Sequence, residues 1–431
     1  MIKRRYSLLL ILLVLLPAIL VSAVPPGLYG SSAQDAVSAE TLLTQAGYIP
    51  LREALLLAGY TAQESEGTYC KDQKPPITLH FDREYGYVYK NDYRFDLAGS
   101  LVWLGQATWI QKSKLSAIVN YDYFWEDGVW KAKRIMYAQH AWTTSFPPLV
   151  AHAGGGLRAV AGGEPAGAKF ADGQTAANQP GGMQSAGNLT ASDLTYTNSI
   201  DALIQNYNLG HRVFEFDLSL TRDGGLAAVH DWNYSGAYNG LPVSEAQWRA
   251  FVPKGAAYTP AMLGDILDEM MVNRDIFLIT DTKSYELSEE ETMRQFQRLY
   301  DEAVARDPEL LSRIIPQIYD EAMYDRIARI YEYDSVIYTL YASYSPADVI
   351  YAFVASHDRV KVVTMPTYWR FQSDMPARLA NMGKLVYVHT VNSIEELREL
   401  STMGAVGFYT DFLTPADWEQ MHDTLPFTEG E

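Results

Sequence analysis

A chain of 431 residues is too long for one ordinary hydrophobic core, and 48% apolar with 13% aromatic content supplies folded domains rather than disorder. The formal charge of -18 and pI near 4.9 leave no basic stripe for a phosphate backbone, which excludes nucleic acid as a partner and disfavours docking on anionic lipid. A phosphate ester is still admitted, because a bound divalent cation reverses the sign of the field locally.

Residues 1–24 read as a targeting segment. Lys3, Arg4 and Arg5 precede a nearly unbroken apolar run over residues 8–24, which ends near Val21, Ser22 and Ala23, small residues suited to cleavage. Export is the expectation, with the run either a cleaved signal peptide or, at close to spanning length, a membrane anchor. A polar linker over residues 25–40 follows. Cys70 is the sole cysteine, so no intramolecular disulfide forms and stability has to come from packing or metal. No later segment is apolar enough to span a bilayer.

Residues 41–125 read as a small α+β domain. It opens with G-Y-I-P-L-R-E-A-L-L-L-A-G-Y over residues 47–60, continues with strand-like alternation at 77–81 and 85–89 and with D-Y-R-F-D-L from Asp92, and ends in a second helix-like piece over 107–119. On the short lead around Ile49, Pro50 and Leu51, residues 47–122 resemble the copper amine oxidase N-terminal-like domain of exported bacterial proteins. No His or Cys cluster for copper accompanies it, so the domain reads as a binding or spacer element.

From residue 147 the rhythm changes. Short apolar, β-rich runs fall at 148–153, 212–218, 276–283, 314–319, 335–341, 360–366, 385–391 and 405–411, with helical spacing between them, as at 289–306 and 394–403. Strands alternating with helices imply a parallel sheet, and eight such units within residues 146–425 predict a closed (β/α)8 TIM barrel. An open doubly wound sheet is the alternative, but no glycine-rich dinucleotide fingerprint follows the first strand. A Gly/Ala-rich stretch over residues 157–192 interrupts the domain and reads as a flexible insertion, or more sharply as a substrate-covering lid.

Chemistry in such a barrel sits at the carboxyl ends of the strands, and the polar residues fall there. His152 ends the first run, Glu215 and Asp217 the second, and Asp281 with Lys283 the third; Gln317, His389 and Asp411 stand near the ends of later ones, and His230 follows in L-A-A-V-H-D. Residues two apart on a strand face the same way, so Glu215 and Asp217 converge while Phe214, Phe216 and Leu218 pack. Two acids on an apolar strand are costly unless a cation neutralises them. The competing reading pairs them with Arg212 or Arg222. Asn198 reads first as the cap of the helix that follows it, with steadying the site as the alternative, and His211, His357 and His389, each taken alone, read as structural histidines.

H-A-G-G at His152, Y-T-N-S-I-D-A-L at Tyr196, F-E-F-D followed by T-R-D-G-G and V-H-D, T-D-T-K at Asp281, and H-T-V-N with G-A-V-G-F-Y-T-D occur in that order. On these pieces residues 147–415 resemble the glycerophosphodiester phosphodiesterase family, within the phosphatidylinositol phospholipase C-like phosphodiesterase superfamily. The resemblance implies that Glu215, Asp217 and Asp281 hold a divalent cation and that His152 and His230 move protons. Hard carboxylate oxygens suit Mg2+ or Ca2+, two imidazoles can serve as base and acid, and the Lys283 ammonium can hold a non-bridging phosphate oxygen or, nearly as readily, form an ordinary ion pair with Asp281.

Three positions depart from the family's pattern. Ala153 stands where an Arg is expected, Asp281 where a longer Glu is expected, and His389 where an aromatic is expected; Arg158, Arg212 and His389 are the candidates to replace the lost phosphate contact. The expected function is metal-dependent hydrolysis of glycerophosphodiesters or related phospholipid-headgroup diesters, by water directly or through a cyclic phosphate. The alternative, suggested by Ala153, is a catalytically weak cell-surface barrel that binds phosphorylated glycans or lipid headgroups. The expected location is extracytoplasmic, secreted or anchored, with membrane or cell-wall association through the N-terminus left open.

Overall fold

The computed structural model describes residues 38–65, 67–82, 84–137, 141–158, 194–233, 240–251, 258–283 and 287–423. The targeting segment, most of the linker and nearly all of the Gly/Ala-rich stretch lie outside the described residues, and with them the signal, anchor and lid readings. The chain divides into two compact units, residues 1–49 and 50–431. In the first, Ser38 caps the helix Ala39–Gln45 by accepting from the Thr41 N–H at 3.1 Å. The second holds an N-terminal sheet and a barrel. No described helix is long and apolar enough to cross a membrane.

Strict alternation makes the N-terminal sheet. Ile77, Leu79 and Phe81 point inward and Thr78 and His80 outward on Ile77–Asp82, the middle of five antiparallel strands that also include Thr61–Ala62, Thr68–Lys71, Tyr87–Lys90 and Tyr93–Asp96. The helix-like piece expected over 107–119 is instead a strand, Ala107–Gln111, followed by a helix, Lys112–Val119. Thr108, Trp109 and Ile110 favour the pleated form, and Gly105, at φ 61, lets the chain turn tightly enough to pair Ala107–Gln111 with Leu101–Leu104.

The eight apolar runs become eight parallel strands: β1 (Leu149–Ala151), β2 (Val213–Leu220), β3 (Phe277–Asp281), β4 (Ile314–Ile318), β5 (Val336–Thr339), β6 (Val360–Pro366), β7 (Leu385–His389) and β8 (Gly407–Thr410). The barrel closes because β1 pairs with both β2, at Ala151 and Phe214, and β8, at Leu149 and Phe408. Eight helices follow the strands in turn: α1 (Ile200–Asn208), α2 (Leu263–Val272), α3 (Glu289–Arg306), α4 (Glu321–Ala328), α5 (Ala347–Ser356), α6 (Met375–Asn381), α7 (Ile394–Thr402) and α8 (Pro415–Asp423). The architecture is the expected TIM barrel.

Inward-facing side chains fill it in layers. Val150, Val213, Phe277, Ile279, Ile315, Ile337, Val362, Tyr387 and Tyr409 form an apolar core. Two residues further along the same strand faces stand His152, Glu215, Asp281, Gln317, Thr339 and His389, so the period of two that builds the core also raises a polar layer at the carboxyl ends. The other end is plugged by the segment that leads into β1. Trp142, 1% exposed, lies edge-on to Tyr387 at 5.8 Å and donates from Nε1 to Ser335 Oγ at 3.0 Å. Trp142→Ala is expected to cost about 3–5 kcal/mol, read as a lower midpoint in urea unfolding.

The N-terminal region meets this plugged end through part-buried polar contacts. Tyr93 donates to Glu269 Oε2 at 2.9 Å, and Asn120 Oδ1 accepts from the Arg274 N–H at 3.2 Å and from Lys90 Nζ at 3.3 Å. Lys90, 1% exposed, also donates to the Ile118 carbonyl at 2.7 Å, and burial pushes its ammonium down to about 7 from the 10.5 of an exposed lysine. Between those values the unfolded chain binds more protons than the folded one, so stability rises with pH across that window. Lys90→Met is expected to remove that slope from unfolding midpoints measured from neutral to mildly alkaline pH.

Candidate active site

The site grows from β2. Glu215 and Asp217 share its inward face, 2% and 1% exposed, while Phe214, Phe216 and Leu218 are fully buried on the other. The pair stands in mid-strand rather than at its end, because β2 runs on to Leu220 and its last residues pair antiparallel with Leu226–Ala228. Neither acid is salt-bridged to the expected arginines. Arg212 lies at the plugged end and donates to Asp275 Oδ2 at 2.6 Å, and Arg222 donates to Gln247 Oε1 at 3.2 Å.

Asp281 ends β3 beside them, in register with Asp217. One oxygen from each of Glu215, Asp217 and Asp281 lies within 4.8 Å of the others. Three buried carboxylates this close strongly disfavour full ionisation: burial and the charge of Asp217 hold Glu215 above the usual carboxylate range. The cluster already attracts a cation of its own. Lys283, two residues past Asp281 and left-handed at φ 50, sends Nζ back to Asp217 Oδ1 at 2.7 Å and Asp281 Oδ2 at 2.8 Å. Burial opposes charge on both partners, yet the attraction wins: Lys283 is held well above, and Asp281 below, their ordinary ranges. Tyr319 and Tyr341 add phenol hydrogen bonds to Asp281, the latter at 2.8 Å. The shorter acid is therefore inside the cluster. An all-oxygen donor set with one ammonium against three carboxylates fits a hard divalent cation.

The flanking groups are fixed as firmly. The Ala153 N–H donates to Glu215 Oε2 at 2.8 Å, with Ala153 itself left-handed at φ 52; Gly155 follows at φ 89, packed against Asn206 where a Cβ has no room. Asn198 does not cap α1. Ser199 does, accepting from the Ala202 N–H at 3.1 Å, while Asn198, at φ 47, brackets Asp217 by donating to Oδ2 at 3.0 Å and accepting from its N–H at 2.9 Å. A short polar side chain tolerates the left-handed conformation, so the same residue type that caps helices here serves the acid.

Each expected proton carrier has a carboxylate behind it. His152 Nδ1 meets Asp411 Oδ1 at 3.0 Å, and Asn392 orients Asp411 by donating to Oδ2 at 2.8 Å. Burial works against charge on His152, but that hydrogen bond and the fields of Glu215 and Asp217 outweigh it and push the imidazole up to about 9. His230 Nδ1 meets Asp231 Oδ2 at 2.7 Å, and the Val229 N–H donates to the Asp217 carbonyl at 3.0 Å, tying this loop to β2. Trp232, Val243, Trp248 and Met262 pack beneath it. Tyr196 stands between the two imidazoles, edge-on to His152 at 4.6 Å and His230 at 5.5 Å.

His152, Glu215, Asp281, Lys283 and His230 line one cavity of about 160 Å³, together with Tyr196, Gln317, Thr339, Tyr341, His389 and Tyr409. Tyr196, Tyr319, Tyr341 and Asp231 were not among the expected site residues; the tyrosines end predicted strands or sit in a quoted motif, but an aromatic there reads equally well as core. Arg158 does not replace the missing arginine, since its guanidinium goes to the Phe412 carbonyl and ring. His389 lines the cavity rather than serving only as packing. His211 and His357 are structural as expected, bound to the Leu413 and Phe353 carbonyls at 2.9 and 2.8 Å.

A family model described as the glycerophosphoryl diester phosphodiesterase family matches residues 185–414, more than half of the chain. The chain belongs to that family. It is a phosphoric diester hydrolase, of a divalent-metal-dependent kind. No curated protein sequence matches it. Among solved structures, a glycerophosphodiester phosphodiesterase from Parabacteroides distasonis is 19% identical, covering 52% of this chain and 90% of that one at a TM-score of 0.43. An Oleispira antarctica phosphodiesterase in complex with the product sn-glycerol-3-phosphate is 12% identical over 65% of this chain and 98% of that one, at 0.45. One from Thermotoga maritima is 17% identical over 53% and 92%, at 0.39. At such scores these likenesses add nothing to what the strand pairing establishes.

Asn198 touches the acidic cluster through Asp217, which both ends of its amide hold in place. Asn198→Ala is expected to weaken divalent-cation binding by roughly 10–100-fold in titration calorimetry while leaving the far-ultraviolet dichroism unchanged.

Proposed function

We propose that this phosphodiesterase hydrolyses glycerophosphodiesters or related phospholipid-headgroup diesters, with His152 and His230 as its proton carriers. The observation that carries the reading is the pair of imidazoles beside the acidic cluster, each backed through Nδ1 by its own carboxylate, Asp411 or Asp231. That backing orients each ring and makes Nε2 the nitrogen that exchanges a proton with the substrate. Glu215, Asp217 and Asp281 would hold the divalent cation, which would supply positive charge to the phosphate oxygens.

The protein's own groups do the rest. Lys283 is the one Lys or Arg among the described residues lining the cavity, so with Ala153 in place of an arginine it carries the protein's fixed contact to a non-bridging oxygen. His152 gives its Nε2 proton to the leaving alkoxide. His230 takes a proton from the attacking water, whose oxygen bonds to phosphorus. The phosphorus–oxygen bond to one alcohol breaks, releasing that alcohol and a phosphomonoester. The basic leader with its apolar run supports action outside the cytoplasm, secreted or anchored.

A panel of glycerophosphodiesters assayed with chelator, then with Mg2+ or Ca2+ restored, tests the reading: turnover is expected only with the ion, and His152→Ala is expected to lower kcat by about 10²–10⁴-fold. An acid catalyst loses activity as pH rises through its pKa. Asp411→Asn removes a group that raises His152, so the basic limb of the pH–rate profile is expected to move to lower pH. Binding of phosphate esters without turnover of any diester would support a binding protein instead.

A further inference from the structure

We infer that His389, with Thr339 and Gln317, forms a hydrogen-bonding wall that selects diesters whose ester arm carries hydroxyl groups, a specificity role for a residue that stands where the family resemblance implies a plain aromatic. The inference rests on the phosphodiesterase reading of the cavity and deepens it.

Strand order places this wall. β7 lies across the closed barrel from β3, so His389 faces the mouth from the side away from the acids, with Thr339 at the end of β5 and Gln317 on β4. All three line the cavity. The Nε2 of His389 and the Oγ1 of Thr339 are buried and, among the described residues, meet no hydrogen-bond partner. Buried polar atoms without partners are costly, and native proteins keep them where a ligand or catalytic role compensates. Gln317, 3% exposed, accepts from the Tyr409 hydroxyl at 3.3 Å and so belongs to the same polar surface.

The chemistry of the wall chooses the ligand. Burial, reinforced by the charge on His152, pushes His389 down to about 4, so it offers a neutral ring with one donor and one acceptor. A hydroxyl both donates and accepts and matches that ring and the Thr339 hydroxyl; a carboxylate or second phosphate requires a cation, and none stands among these three residues. Tyr341 joins the two sides. Its hydroxyl donates to Asp281 Oδ2 at 2.8 Å while its ring lies edge-on to His389 at 5.7 Å. A diester with its phosphate at the acids therefore sends one ester arm along Tyr341 onto the wall.

The test uses the full chain with Mg2+ or Ca2+ and a matched pair of substrates, glyceryl and n-propyl p-nitrophenyl phosphate, which differ only in hydroxyls. The wild type is expected to prefer the glyceryl diester. His389→Phe, which restores an aromatic, is expected to cut that preference in kcat/KM by about tenfold, mainly through KM, with His389→Gln recovering part of it and Thr339→Val reducing it independently. The same loss on both diesters, or an undiminished preference, would overturn the role. Calorimetry with sn-glycerol 3-phosphate, propyl phosphate and phosphocholine gives a reading without turnover. Selective, His389-dependent binding of glycerol phosphate in a chain that hydrolyses neither diester would sink the catalytic reading and keep the wall. Equal or tighter phosphocholine binding would mean that the wall reads an ammonium and would sink the inference.

Discussion

The organising constraint is electrostatic. Glu215, Asp217 and Asp281 bring three carboxylates to within 4.8 Å in a buried layer, and one protein ammonium, Lys283, stands against them. Such a group cannot be fully charged and fully dry at once. Every polar contact around it answers that problem: two phenols on Asp281, an amide on Asp217, a backbone N–H on Glu215. A bound divalent cation answers it more completely, and the same charge is what a phosphodiester needs at its transition state.

Holding the cluster has a backbone cost. Ala153, Tyr196, Asn198 and Lys283 all adopt left-handed conformations, at φ 52, 55, 47 and 50, and all lie within or beside the site. Each is worth about 1–3 kcal/mol of strain that the surrounding fold has to offset. The barrel can do so because its layered core is closed at one end by Trp142 and braced there by the N-terminal sheet, leaving the carboxyl-end layer free to serve chemistry.

Much of this was legible in the sequence because one period governs both fold and site. All eight strands lay within two residues of the expected runs, and residues two positions beyond the core, His152, Glu215 and Asp281, were readable as the rim. What was not legible depended on single dihedral angles or on distance along the chain. Asn198 and Ser199 are both good caps, and only the left-handed turn at Asn198 decides that Ser199 caps α1 while Asn198 serves Asp217. Asp411 was readable as a strand-end acid, but its partnership with His152 joins the first and last strands of the barrel, neighbours in space that lie 259 residues apart in sequence, and leaves no local trace. Helical spacing over 107–119 misled because strong β formers and a glycine turn overrode it in the first five residues.

The most direct measurement is titration of the metal-free protein with Mg2+ and Ca2+ in a calorimeter, beside Glu215→Gln and Asp281→Asn. One saturable site in the wild type, lost or greatly weakened in both variants, is the predicted result. No saturable binding, or binding that both variants retain unchanged, would contradict the claim that these carboxylates converge to hold a cation.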